Sequence, residues 1–132
     1  MNCRPFLLLF LGLCLWMGCI GSQPSPEELA GEAAKDYYES LVTGDYEAFL
    51  NGRVEADSIS ADYRQQLMQA YKQFVREQVK AHGGIAEVSL STAKSDSLQH
   101  LMQVFLVFTF RDSVKEEIVV PMIEHNGQWR MR

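Results

Sequence analysis

The chain has 132 residues, with 12 basic and 17 acidic side chains, a net charge of −5 and 47% hydrophobic residues. That acidic balance excludes nucleic-acid binding, because counterion release from phosphates needs a positive footprint. Lys72, Arg76 and Lys80 share one helix face, but Glu77 interrupts them, so they read as a solvated face. The three cysteines, Cys3, Cys14 and Cys19, all precede residue 20. The rest of the chain therefore has no internal disulfide and no cysteine-based metal site.

In chain order, Arg4 comes first and an apolar run follows over residues 6–17. Gly18, Cys19 and the polar stretch Gly21-Ser22-Gln23-Pro24-Ser25-Pro26 come next. A helix needs roughly 20 apolar residues to cross a bilayer core. This run is shorter, and Pro24 and Pro26 stop any helical extension. A short positive start, a short apolar stretch and small residues at its end predict a removable signal peptide over 1–18. The segment Leu15-Trp16-Met17-Gly18-Cys19 resembles a bacterial lipobox, matching at Gly18 and Cys19 and departing at Trp16 and Met17. The resemblance implies that Cys19 is the lipidated first residue of the mature chain and that 19–24 is a tether. It also implies a cell-envelope protein held to a membrane, and Ile20 after Cys19 favours the outer membrane by the same analogy. Cleavage after Gly21, without a lipid, is the alternative.

Residues 25–132 read as one α+β domain. A chain of this size buries roughly 65% of its extended surface on folding, enough for one core. Ser25 is the expected N-cap of a first helix, with Pro26 at its first position and Glu28 completing a capping box. Its stripe is Leu29, Ala30, Ala33, Ala34, Tyr37, Tyr38, Leu41 and Val42, and Gly44 ends it. Asp45 caps a short second helix that Asn51 and Gly52 stop. A third helix over 60–81 carries Tyr63, Leu67, Ala70, Tyr71, Phe74 and Gln78 on one face, predicted to be buried. After Gly83 and Gly84 the period becomes two. Ala86, Val88, Leu90 and Thr92 alternate with polar residues as a half-buried strand, and a turn is expected at Ser95-Asp96-Ser97. The apolar stretch 100–110 is a second strand, 114–123 a third, and Asn126-Gly127 a type I′ hairpin leading to a short last strand over 128–132. Three helices followed by an antiparallel meander predict helices packed on one face of a four-stranded sheet.

The pieces Thr43-Gly44-Asp45-Tyr46-Glu47-Ala48-Phe49 and Asn126-Gly127-Gln128-Trp129-Arg130, in this element order, resemble the nuclear transport factor 2-like fold. They look most like small bacterial envelope lipoproteins of unknown function with that cone-shaped domain. A cystatin-like fold, one dominant helix over four strands, is the runner-up. The wider superfamily includes ketosteroid isomerases and dehydratases, which use a pocket between sheet and helices.

Catalysis in such a pocket needs a carboxylate or histidine tuned by apolar surroundings. Neither face of the second strand carries one, residues 118–123 are uncharged, and Glu116 and Glu117 fall at the turn end, where solvent is expected. The sequence thus predicts no catalytic residue and implies no cofactor. His82, His100 and His125 lack ligand spacing and read as surface residues, with no metal site. Tyr37, Tyr63, Tyr71 and Gln103 are the candidate pocket of a small-molecule carrier, although core packing is the plainer role for the tyrosines. Both faces of the second strand are apolar, yet helices cover only one. The other is expected to expose Phe105, Val107 and Val119 as an interaction face for a homodimer or an envelope partner. The leading reading is a membrane-anchored lipoprotein with a non-catalytic binding or interaction domain. The alternatives are a carrier and, behind it, an isomerase- or dehydratase-like enzyme.

Overall fold

Ser25 starts the ordered helical layer. Its hydroxyl oxygen accepts the Glu28 N–H at 3.2 Å, with Pro26 in the first turn. The computed structural model describes residues 21–132; the signal peptide expected over 1–18 and the lipidation expected at Cys19 lie outside them. The first helix, α1 (Pro26–Thr43), closes on Gly44 at φ 89°, a left-handed position that costs glycine nothing. Asp45 then accepts the Ala48 N–H at 3.1 Å and starts α2 (Tyr46–Asn51). Ser60 caps α3 (Ala61–His82) by accepting the Tyr63 N–H at 3.1 Å. No helix among the described residues is long and apolar enough to cross a membrane.

Four strands follow: β1 (Ile85–Asp96), β2 (Leu101–Phe110), β3 (Lys115–His125) and β4 (Gln128–Met131). They form one antiparallel sheet in the order β1-β2-β3-β4. Asn126 (φ 52°) and Gly127 (φ 76°) both take positive φ, as a type I′ turn requires. Residues 52–54 cover the β4 edge: Val54 N–H donates to the Met131 carbonyl at 2.8 Å and Met131 N–H to the Gly52 carbonyl at 2.7 Å. An edge closed in this way cannot template another strand. The fold is α+β, helices on a curved antiparallel sheet.

Two expectations need correction. In β1, simple alternation put Ala86, Val88, Leu90 and Thr92 inward. The buried and half-buried inward positions are Ile85, Val88, Leu90 and Ala93, while Ala86 and Thr92 are exposed. The register shifts between Ile85 and Glu87 and again between Leu90 and Thr92, so Ala86 and Ser91 are extra residues and each reverses the inward parity. The strand also runs through Asp96, whose Oδ1 accepts the Leu98 and Gln99 N–H groups and so moves the turn to residues 97–100. The second correction concerns α3. Of its predicted stripe, Leu67, Tyr71, Phe74 and Gln78 are half-buried, Tyr63 and Ala70 are exposed, and none is fully buried. The helix lying against the middle of the sheet is α1, whose small residues Ala30, Gly31 and Ala34 are buried there.

The core lies between α1 and the inner sheet face: Met102, Val104, Leu106, Phe108 and Phe110 from β2, Val120 and Met122 from β3, and Met131 from β4. Tyr37 pins the far side by donating its hydroxyl to the Trp129 carbonyl at 2.7 Å. Its ring lies so close to Gly52 that a Cβ there would sit 2.6 Å from Tyr37 Cδ1. Gly52→Ala is therefore expected to lower unfolding free energy by about 1–3 kcal/mol, the usual cost of overpacking. Tyr37→Phe should lose about 1 kcal/mol through the hydrogen bond alone. Chemical denaturation of both variants checks the pair, and an unchanged Gly52→Ala midpoint would mean that the Tyr37 ring can move aside.

Candidate functional site: the helix-sheet seam and the open sheet face

The four residues expected to line a ligand pocket do not meet. Tyr37 is committed to Trp129 and Gly52. Tyr63 is 44% exposed at the start of α3. Gln103 sits on the sheet face away from the helices and donates its amide to Asp96 Oδ2 at 3.3 Å. The physical reason is parity: Gln103 alternates with the buried Met102 and Val104, which occupy the helix side. Only Tyr71 lies in the seam. Its ring meets Phe49 edge-on, with centroids 4.8 Å apart. The Arg53 guanidinium is near enough to act on it electrostatically. The buried Tyr71 hydroxyl completes no hydrogen bond of ordinary geometry, and Arg53 is its polar neighbour.

Tyr38, not singled out for the pocket, is the centre of this seam. Its ring packs edge-on against Phe49 at 5.0 Å and tilted against Phe108 at 5.8 Å. Burial pushes its phenol pKa up, the neighbouring Tyr71 adds to the shift, and Arg53 opposes it. Beside it is a cavity of about 180 Å³ lined by Tyr38, Phe74, Gln78, Phe108, Glu116 and Ile118. Pockets for drug-sized ligands are roughly 300–1,000 Å³, so this seam is small for a carrier. The sequence put Glu116 in solvent; it is exposed, but the pairing of Phe108 with Glu116 turns it to the helix side, at the rim of the cavity. A larger depression of about 570 Å³ is lined only by α3 residues, among them Gln65, Gln69 and Gln73. One helix cannot enclose a ligand, so this is open surface.

The open sheet face carries Phe105 and Val107, half-buried, and Val119, 51% exposed. The register sets these side by side: Thr92, Phe105 and Val119 form one row, Lys94, Gln103 and Pro121 the next. The Lys94 ammonium lies 5.6 Å from the Phe105 ring centroid, within cation–π range. None of the described helices packs on this face.

One interaction was not legible as a contact. His82 was expected on the surface; its Nδ1 lies 2.7 Å from Asp112 Oδ2, and its ring stacks on Phe110 at 4.2 Å. This joins the end of α3 to the β2–β3 turn. The only sequence signals were a histidine at a helix C-terminus and an acid in a turn, thirty residues apart. Among the described residues no three histidine, cysteine or acidic side chains are grouped to hold a metal.

No family model matches the sequence, and no curated protein is significantly similar to it. Among solved structures, the chain is similar to a protein from Campylobacter jejuni provisionally named an NTF2-like transpeptidase. The TM-score is 0.61 at 12% identity, over 76% of this chain and 94% of that one. A likeness at that identity concerns the fold, which is nuclear transport factor 2-like, as the element order and the two turn segments suggested.

The His82 hydrogen bond, with a smaller contribution from the Val114 N–H, holds the Asp112 carboxyl below the usual carboxylate range. A depressed folded-state value stabilises above the unfolded value and loses that contribution as pH falls through the folded one. Asp112→Asn should therefore lower the melting temperature near neutral pH, and the gap to the unaltered protein should close on acidification. Thermal melts across an acid series check this; a gap that stays constant with pH would show that the carboxylate charge is not involved.

Proposed function

We propose that this is an envelope protein lipid-anchored through Cys19, whose domain is a non-catalytic interaction module that pairs through its open sheet face, first with a second copy of itself. The observation that carries the reading is the patch of Phe105, Val107 and Val119, on which none of the described helices packs, on a sheet whose other face is filled. Contiguous exposed apolar area of this kind marks interaction sites. Charge placement favours self-pairing. Lys94 and Glu117 lie on β1 and β3, at diagonally opposite corners around Phe105. A two-fold axis crossing the face diagonally brings Lys94 of one copy over Glu117 of the other, and an isologous contact requires such self-complementarity.

Two observations support a non-catalytic role. The fully buried residues are all apolar, and the seam cavity offers an acid, Glu116, only at its exposed rim. The name of the Campylobacter protein raises acyl transfer as a second reading. That chemistry needs a nucleophile beside a base. The described residues contain no cysteine, and the serine and threonine hydroxyls that donate hydrogen bonds among them give these to backbone carbonyls, none to a histidine.

Sedimentation of the domain from Ser25 at high micromolar concentration is expected to show a dimer. Val119→Lys should make it monomeric while changing stability by no more than about 0.5 kcal/mol, as for other exposed positions. A monomer before substitution contradicts self-pairing. The anchor is tested separately: Cys19→Ala should move the protein from the membrane to the soluble fraction, and unchanged fractionation overturns lipidation.

A further inference from the structure

We infer that the domain stands on the bilayer by the end that carries the β1–β2 turn, with Leu98 as its point of contact; this rests on anchoring through Cys19 as proposed above. Leu98 is 92% exposed, the most exposed large hydrophobic side chain among the described residues. It is not on a loose loop. Asp96 Oδ1 accepts the N–H groups of Leu98 at 3.1 Å and Gln99 at 3.2 Å, and His100 closes the turn at φ 54°. A rigid turn presenting an apolar tip to water is unfavourable unless something covers the tip.

The direction of α1 identifies what lies beside it. Gly31, near the helix start, sits against Leu90, whereas Val42 and Thr43, at its end, lie beside Ala86 and Val88. The helix thus runs back along β1, and its N-terminus points to the end of the sheet where β1 gives way to the turn. The chain from Ser25 back to Cys19 can span at most about 20 Å, counting roughly 3.5 Å per residue. The β2–β3 turn is ten residues of β2 away from the β1–β2 turn, about 33 Å along the sheet. The tether is therefore shorter than the sheet is long, and the turn carrying Leu98 is the part of the sheet it holds nearest the lipid. The β3–β4 hairpin shares this end, where Glu124 and Trp129 line a depression of about 240 Å³ with His100.

Charge decides which lipid surface fits. This end carries Glu27, Glu28, Asp96 and Glu124 against Lys94 and Arg130, an acidic excess, so anionic headgroups would not draw it in. The occupant is a zwitterionic bilayer surface, contacted through apolar area and insensitive to salt.

The test uses the full chain purified in lipidated form, its lipid verified by mass, in phosphatidylcholine vesicles with brominated acyl chains. An environment-sensitive fluorophore is placed at Leu98→Cys or, as the apolar exposed control at the opposite end, at Val114→Cys. The label at 98 should lose about half its emission, as expected for a group within about 10 Å of the acyl boundary, and the label at 114 almost none. Co-sedimentation with vesicles but no quenching at 98, or equal quenching at both positions, overturns the orientation while leaving the anchor in place. If the unaltered chain purified from membranes carries no lipid by mass, the anchor itself is overturned, and the orientation with it.

Discussion

The contact on which the rest depends is the close approach of α1 to β1. Ala30, Gly31 and Ala34 let the helix axis sink toward the sheet, to the point where a Cβ on Gly31 would lie 2.7 Å from Leu90 Cδ2. That approach needs β1 to offer apolar side chains along the whole helix, and strict alternation would not supply them. The extra residues Ala86 and Ser91 reset the parity, so Ile85, Val88, Leu90 and Ala93 all face inward. Bulges also increase local twist and bend the strand, which wraps the sheet around α1 and leaves α3 at the margin.

Because α1 fills the concave face, the space that could be a pocket is taken up by side chains. The large, fully buried groups are Phe110, Leu50, Leu106, Met122 and Val104. Interiors packed in this way keep few voids larger than water. What remains is the seam under Tyr38, small for a drug-sized ligand, an open groove of about 320 Å³ between the end of α1 and the start of β1, and the rest of the exterior. The exterior is differentiated: an apolar open face, a clasped turn at His82 and Asp112, and an opposite end with Leu98 beside the start of the helical layer. These surfaces are the ones on which the proposed function rests.

Much of this was legible in the sequence wherever the signal is local. The caps at Ser25 and Asp45 and the turns at Gly44 and Asn126-Gly127 follow from backbone chemistry within four residues, and they appear as read, whereas Ser60, read as the first residue of the third helix, is its cap. The face of β2 that meets the helices was not fixed by its own pattern, since both faces are apolar; its neighbours decided it, which is why Gln103 falls outside the seam. The bulges in β1 were hidden because Ala86 and Ser91 are small and suit either side. The half-buried state of α3 was hidden because amphipathicity reports which face turns inward, not how deeply it packs. The His82–Asp112 contact depends on two elements meeting, which no local pattern encodes.

The central claim is that the domain works by its outer surfaces and carries no resident small molecule. Native mass spectrometry of the full chain purified intact from its native cells tests it most directly. The account expects the mass of the lipidated chain, alone or paired, with no further adduct. A stoichiometric non-covalent small molecule that is lost on unfolding would contradict it and return the seam under Tyr38 to the centre of function.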